Sequence, residues 1–372
     1  MLIYFLLIPL IWLFSVQAEK HDKFKYLSII VVILTVIAGF RSESVGIDTN
    51  NYIQKIAYIA NGNPEFAYGF EPGFKLLIKY ILKINSSYTF FFTLVAAITN
   101  YLIIRRLWDF RYIASVPCMM LCYYASFYGY TFNIVRQFLA IAIVFFSSKL
   151  LEKRKYIPFA IIVLLCTFFV HQSSIICIGL IAADLFMWKD LSKWQKNLIG
   201  MGLIIVPIAF SYFVSRLFAK YTGYFETTSS NIGFMILAKV LFFVVSVYVS
   251  RYILIPKLSP EQIDSNYQEY RMRKATTIYY PIGLLLTAIG YFYPFMDRIG
   301  LYYMFFECIY FGMLLKVNLK NSVVCVDNCT LKTKKNNSLV YLLLILLLVG
   351  YNFFTDIFDN AQGIVPYITN LF

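Results

Sequence analysis

Residues 338–354 read SLVYLLLILLLVGYNFF, a run with no charged side chain and no polar face to turn toward water. Crossing about 30 Å of hydrocarbon takes about 20 mostly apolar residues in a helix, because each backbone N–H and C=O must find its partner inside the segment. Runs of the same kind recur upstream, among them LSIIVVILTVIAGF at 27–40 and FAIIVLLCTFFV at 159–170. The chain is 60% hydrophobic and 14% charged over 372 residues, against about 25% charged in a soluble domain. A core of this length could not hide that much apolar surface. Only short polar connectors separate the runs, so the sequence predicts an all-α, polytopic integral membrane protein. It forms a single membrane domain over residues 1–372, without a soluble domain or linker.

The connectors give the number of spans and their direction. Placed alternately on two sides, one set takes most of the 33 Lys and Arg. It holds Lys20, Lys23 and Lys25; Arg105, Arg106 and Arg111; Lys149, Lys153, Arg154 and Lys155; and Lys189, Lys193 and Lys196. Arg251, Lys257, Arg271, Arg273 and Lys274 follow, then Lys316, Lys320, Lys332, Lys334 and Lys335. The side rich in Lys and Arg is cytoplasmic, which puts both termini outside and predicts about twelve spans. They start near residues 1, 26, 87, 112, 134, 156, 173, 197, 233, 275, 300 and 338, with cytoplasmic loops at about 256–274 and 316–337. The net charge of +14 lies in these short loops and reads as a topology signal, not as affinity for nucleic acid. The N-terminal MLIYFLLIPLIWLFSVQAEK has the apolar core of a signal peptide and a small-residue end near Ala18. It lacks the basic leading region and is read as a retained first helix.

Cys118, Cys122, Cys166 and Cys177 lie in apolar runs, where cysteine serves as a small hydrophobe. Cys325 and Cys329 form CVDNC in a cytoplasmic loop, with no second pair or nearby His to complete a zinc site. No glycine-rich phosphate loop, nucleophile elbow or HExxH motif is present, and neither metal nor cofactor is expected.

The polar residues that stand out face the other side. The longest outer segment, 41–85, opens with FRSESVGIDTNNY (40–52) and continues to YGFEPGFKLLIKYILKI (68–84). Arg41 sits where the second span ends, and Gly46 permits a tight turn before Asp48, Thr49 and Tyr52. Glu71, Lys75, Lys79 and Lys83 recur every four residues, one stripe of a helix. With Leu76, Leu77, Tyr80 and Ile81 on the other side, this predicts an amphipathic helix that lies in the interface or re-enters the membrane. Ordinary anchoring charges fit the lysines equally well, and fit Arg41 and Asp48 less well.

In TFNIVRQFLA (131–140), Asn133, Arg136 and Gln137 share a face at i, i+3, i+4 spacing. An arginine one turn inside a span either snorkels to the headgroups or faces a partner or a wet cavity. His171 lies in the turn FVHQSSI, one of two histidines. It is either structural or, with an ordinary pKa near 6.5, the natural base at neutral pH. In YPFMDRIGLYY (293–303), Arg298 and Tyr302 are four apart, with Asp297 beside them. Lys239 and Glu307 lie deeper and are expected to neutralise one another. Arginines gathered at one mouth suit a phosphate group, since the planar guanidinium donates two parallel charge-assisted hydrogen bonds and keeps its charge.

The order FRSESVGIDTNNY, FEPGFKLL, NIVRQFLAIA, HQSS, DRIGLYY resembles the EpsG-like branch of the Wzy-type polysaccharide polymerases. The resemblance runs over residues 38–305, and its first segment is the most specific. It implies a glycosyltransferase of the bacterial inner membrane, with its site on the periplasmic or outer face. Its substrates would be undecaprenyl-diphosphate-linked oligosaccharide repeat units, joined into O-antigen, capsule or exopolysaccharide without a metal. A chain-length regulator would be a separate partner protein. On that reading His171, or else Asp48, is the base, and Arg136, Arg298 and Arg41 bind the diphosphate. Tyr52, Glu71, Asn133, Gln137, Asp297 and Tyr302 hold sugar hydroxyls. An O-antigen ligase and a flippase for the same lipid-linked saccharide are the alternatives. A ligase would carry its largest outer loop late in the chain, and a transporter would show related halves with polar groups at mid-membrane.

Overall fold

The computed structural model describes residues 1–188, 232–254, 267–290, 294–319 and 338–370, and all the elements named among them are helices. They are α1 (Leu2–His21), α2 (Lys25–Gly39), α3 (Thr49–Ala60), α4 (Pro72–Ile84), α5 (Tyr88–Asp109), α6 (Val116–Ser126), α7 (Val135–Ser147) and α8 (Lys149–Glu152). Then come α9 (Tyr156–Phe169), α10 (Gly179–Trp188), α11 (Ile232–Leu254), α12 (Tyr267–Gly290), α13 (Pro294–Met304), α14 (Phe306–Leu319) and α15 (Ser338–Ile357). Short 3-10 turns occupy Tyr128–Phe132 and Gln172–Ile178.

Among the described residues, four stretches are long and apolar enough to cross a membrane: Leu2–His21, Tyr88–Asp109, Met296–Lys316 and Leu339–Ile357. The chain is a helical membrane protein. Several other apolar helices are shorter, among them α2, α6 and α9, and this modifies the expectation of a dozen full spans. The fourth and fifth expected spans appear as α6, of 11 residues, and α7, of 13. At about 1.5 Å per residue neither alone covers about 30 Å of hydrocarbon. The 3-10 turn between them lies in the interior, with Tyr128, Gly129, Thr131 and Phe132 buried. The span expected near 197 and the CVDNC loop lie outside the described residues, as do 255–266 and 320–337.

At the centre runs Met296–Lys316, nearly every residue of its apolar window buried. Phe305, at the joint between α13 and α14, is enclosed by the rings of Tyr123, Phe127, Phe138 and Phe145 at 4.8–5.9 Å between centroids, within the range where aromatic pairs attract. α1 and α15 bury only about a third of their span windows and leave Leu2, Leu6, Leu346 and Leu347 exposed for lipid. Lys239 on α11 and Glu307 on α14 pair at 2.9 Å deep in the bundle, the mutual neutralisation expected of them.

Connections assigned to opposite sides by charge keep to separate networks. On the basic side, Arg106 meets Glu152 and Ser148, Arg111 meets Asp22, Lys316 meets Glu19, and Arg271 meets Asp184 and the Leu151 carbonyl. On the other side, the 41–71 segment, the 128–137 turn, the 170–174 turn, α13 and the C-terminal tail bind one another. Strict alternation of the connectors would produce this segregation.

The helix after Glu71 forms, with a corrected face. Phe74, Ile78 and Ile81 are buried, whereas Leu76, Leu77 and Tyr80 are exposed. The buried stripe runs at i, i+4, i+7, and α4 packs it toward α3, α5 and α9. Gly73 makes the close approach to α9 possible, because a Cβ there would stand 2.5 Å from the Phe169 Cα.

Candidate functional site

Glu71 is the junction of the site. Its extended backbone precedes Pro72 at the first position of α4, where the fixed proline φ suits a helix start. The side chain points inward, 4% exposed. Oε2 accepts from Nη1 of Arg136, which also donates to the Gly69 carbonyl at 2.7 Å. Oε1 meets Nδ1 of His171 at 2.9 Å and accepts the Gln172 backbone N–H at 3.2 Å. Tyr52 completes the group: its hydroxyl oxygen accepts from the Arg136 backbone N–H at 3.3 Å and from Nε at 3.4 Å. The Arg136 guanidinium lies 4.5 Å over the Phe70 ring, a cation–π contact. Three segments far apart in sequence, around 71, 136 and 171, thus meet at one carboxylate.

The ionisation states follow from these neighbours. Burial works against the charge on Glu71, but the hydrogen bond from His171 and the charge of Arg136 outweigh it and hold the carboxyl below its usual range. Burial pushes His171 down, and the charges of Arg136 and Arg298 add to that. The bond to Glu71 opposes them without prevailing. At neutral pH the pair is therefore a carboxylate and a neutral imidazole. Nδ1 then carries the proton toward Glu71, leaving Nε2 with a bare lone pair on a side chain 21% exposed.

The remaining predicted residues divide among neighbouring networks. Asn133 does not share a helical face with Arg136, because the 3-10 turn ends at Phe132 and α7 begins only at Val135. Its Nδ2 donates to the carbonyl and Oε1 of Gln362, both at 2.7 Å, and its Oδ1 accepts the Asp48 backbone N–H at 3.4 Å. The Asp48 carboxylate precedes α3, half-buried, without a hydrogen-bond partner among the described residues. Gln137 donates to the Arg298 carbonyl at 2.5 Å, and Tyr302, buried, lies 3.1 Å from the Ser173 hydroxyl. Asp297 and Arg298 sit in the first turns of α13, and the Arg298 charge reaches His171.

Arg41 faces inward instead of toward this cluster. It is 2% exposed and donates to Thr49 Oγ1 at 3.1 Å, to the Phe132 carbonyl at 3.2 Å and to the Ala38 carbonyl. Its guanidinium lies 4.1 Å over the Phe92 ring. Burial pulls it down to about 10, still charged at neutral pH. It ties the end of α2 to the start of α3 and to the 128–132 turn.

The sequence model of the EpsG family matches residues 24–369. The chain belongs to the EpsG family. The match covers nearly the whole chain and takes in every residue just described. No curated protein and no solved structure matches it. One part of this EpsG-family site escaped the sequence reading: the C-terminal tail. The Gly46 N–H donates to the Gly363 carbonyl at 2.7 Å, the Ser42 N–H to Ile368 at 2.8 Å, and Asn133 reaches Gln362. The cue was Asn360 and Gly363 as turn formers, both with positive φ, 51° and 63°.

Proposed function

We propose that this protein is a polysaccharide polymerase, a glycosyltransferase of the bacterial inner membrane that joins undecaprenyl-diphosphate-linked repeat units on the periplasmic or outer face. Membership of the EpsG family supports a polymerase of polysaccharides in general. The observation that carries the finer reading is the Arg136–Glu71–His171 constellation: a neutral imidazole with one free nitrogen beside a guanidinium fork. The orientation rests on the charge of the loops, and the diphosphate on the arginines.

In the reaction, Nε2 of His171 removes the proton from the acceptor hydroxyl as its oxygen attacks the anomeric carbon of the donor glycan. The bond from that carbon to the lipid diphosphate breaks, and its electron pair leaves on the phosphate oxygen. Arg136 and Arg298 stabilise the charge that develops there, an interaction stronger in the transition state than before it. The proton held by His171 then passes to solvent. The donor brings its own leaving group, so no nucleotide sugar enters. Asn133, Gln137, Tyr52 and Tyr302 border the path of the sugars, and Asp48 is the second candidate base.

Reconstitution in liposomes with lipid-diphosphate-linked repeat units tests the reading. Elongated glycan together with released lipid diphosphate is expected, without added nucleotide sugar. Folded protein that moves the units across the bilayer but never joins them would make it a flippase. Transfer of a single unit to a different acceptor lipid would make it a ligase.

A further inference from the structure

Glu71 carries the spacing of a surface residue and, in the sequence reading, the task of holding a sugar hydroxyl. Its surroundings leave no room for that task. Oε2 is taken by Arg136, and Oε1 by both His171 Nδ1 at 2.9 Å and the Gln172 N–H at 3.2 Å. Only 4% of the side chain is exposed. Those donors fill three of a carboxylate's roughly four lone-pair sites, and burial closes the last to a sugar hydroxyl unless a charge-assisted hydrogen bond is broken.

We propose that Glu71 is a positioning residue, whose one carboxylate fixes the tautomer and direction of His171 and sets Arg136 at a fixed distance from it. The inference rests on the reading of His171 as the base. An imidazole free to turn or to exchange tautomers would present an N–H donor where the acceptor hydroxyl needs a lone pair. With Nδ1–H held by Oε1, Nε2 is the basic nitrogen. The backbone supports this: His171 is extended, with φ −158° and ψ 125°, its N–H on the Cys166 carbonyl at 3.0 Å. The close packing at Gly73 brings the end of α9, and with it this turn, against the start of α4.

The charged groups facing the imidazole are Glu71, just before α4, Arg136 from α7 and Arg298 from α13. The nearby Tyr302 hydroxyl is engaged by Ser173 at 3.1 Å. Glu71 alone raises the basicity of His171; the two arginines and burial lower it. Taking the charge off Glu71 therefore moves the histidine pKa further down. It also lets a neutral amide donate to Nδ1 and select the wrong tautomer.

The test uses the full-length protein in nanodiscs with His21→Gln, which leaves His171 as the single histidine. Histidine labelled with 15N reports tautomer and titration directly, and elongation kinetics are taken over pH on the same samples. Glu71→Gln is expected to lose the Nδ1–H tautomer and to move the acid limb of the rate to lower pH. It should lower kcat by about 10²-fold or more, as loss of a working general base does, with KM within about threefold. Glu71→Asp keeps the charge, should hold the acid limb in place and recover part of the rate, and serves if the Gln variant does not accumulate in membranes. An unchanged imidazole spectrum and pH profile in Glu71→Gln, with KM for the acceptor raised tenfold, would make Glu71 a sugar ligand and overturn the proposal. Lost activity with unchanged spectrum and pH profile would reduce it to a structural strut and overturn it equally. His171→Ala that elongates at the wild-type rate would overturn the base reading itself, whatever the Glu71 spectra show.

Discussion

Replacing Arg136 with Lys separates charge from geometry at the proposed leaving-group site. The guanidinium now spends one nitrogen on the Gly69 carbonyl at 2.7 Å and on Glu71, and another on the Tyr52 hydroxyl at 3.4 Å, while its face covers Phe70 at 4.5 Å. A lysine ammonium keeps the positive charge beside Glu71, so the buried carboxylate is not left alone. It forfeits the bond to Tyr52 and part of the contact with Phe70. At about 0.5–1.5 kcal/mol net per ordinary hydrogen bond, the fold should lose about 1–2 kcal/mol, and the protein should reach the membrane at its normal level. The transition state loses more, because an ammonium held against Glu71 and Gly69 has no counterpart of Nη2, the guanidinium nitrogen that those contacts leave for the phosphate. Loss of one preorganised donor costs about 10²–10³ in kcat. Elongation of lipid-diphosphate-linked repeats in proteoliposomes, normalised to protein by immunoblot, should fall by that factor. Arg136→Ala should do worse on both counts, since it strips the cation from a carboxylate 4% exposed, a loss of about 3–5 kcal/mol for a buried pair. Wild-type rates from Arg136→Lys at equal protein level would refute the role assigned to the fork.

Other consequences follow from the same geometry. Since the base must be neutral and its pKa is held below the ordinary histidine value, activity should be full at neutral pH. It should fail as pH drops through that lowered pKa, below about 6.5, and His171→Ala should abolish it; a rate–pH profile reads both. Gly73→Ala would place a Cβ 2.5 Å from the Phe169 Cα and push α4 off α9, costing about 1–3 kcal/mol as overpacking does. It should weaken polymerisation through Glu71, measurable as thermal stability in detergent beside activity. Lys239→Met alone should destabilise the bundle by about 3–5 kcal/mol by stranding Glu307, and the double change Lys239→Met with Glu307→Leu should recover most of it. Thermal melts of the single and the double variant, both expected to retain the site, check this.

Apolar runs were readable because hydrocarbon leaves a chain no other conformation, and the helices begin near the residues where those runs do. Side-chain directions were harder. Asn133 and Arg136 have helical spacing, but a 3-10 turn intervenes, so one reaches the tail and the other Glu71. Glu71 belongs to a lysine stripe by periodicity, yet it stands just before the helix, where extended backbone turns it inward. Its partner His171 is 100 residues away, and no local pattern encodes that meeting. The same holds for Gln362, 229 residues from Asn133. Arg41 stood out as a costly charge at a span end, and the cost is met by carbonyls, a threonine hydroxyl and an aromatic face. By contrast, the grouping of connectors by Lys and Arg needed no tertiary information, since it rests on local composition alone.

The most direct measurement of the central claim is the surface polysaccharide of the host, run on a gel after deletion of this gene and complementation with wild type, Arg136→Ala or His171→Ala. The account predicts that the long ladder collapses to a lipid bearing a single repeat. Wild type alone should restore the ladder, with Arg136→Lys carried alongside as the variant expected at normal protein level. A deletion that keeps the full ladder, or one that removes every repeat from the surface, would contradict a polymerase.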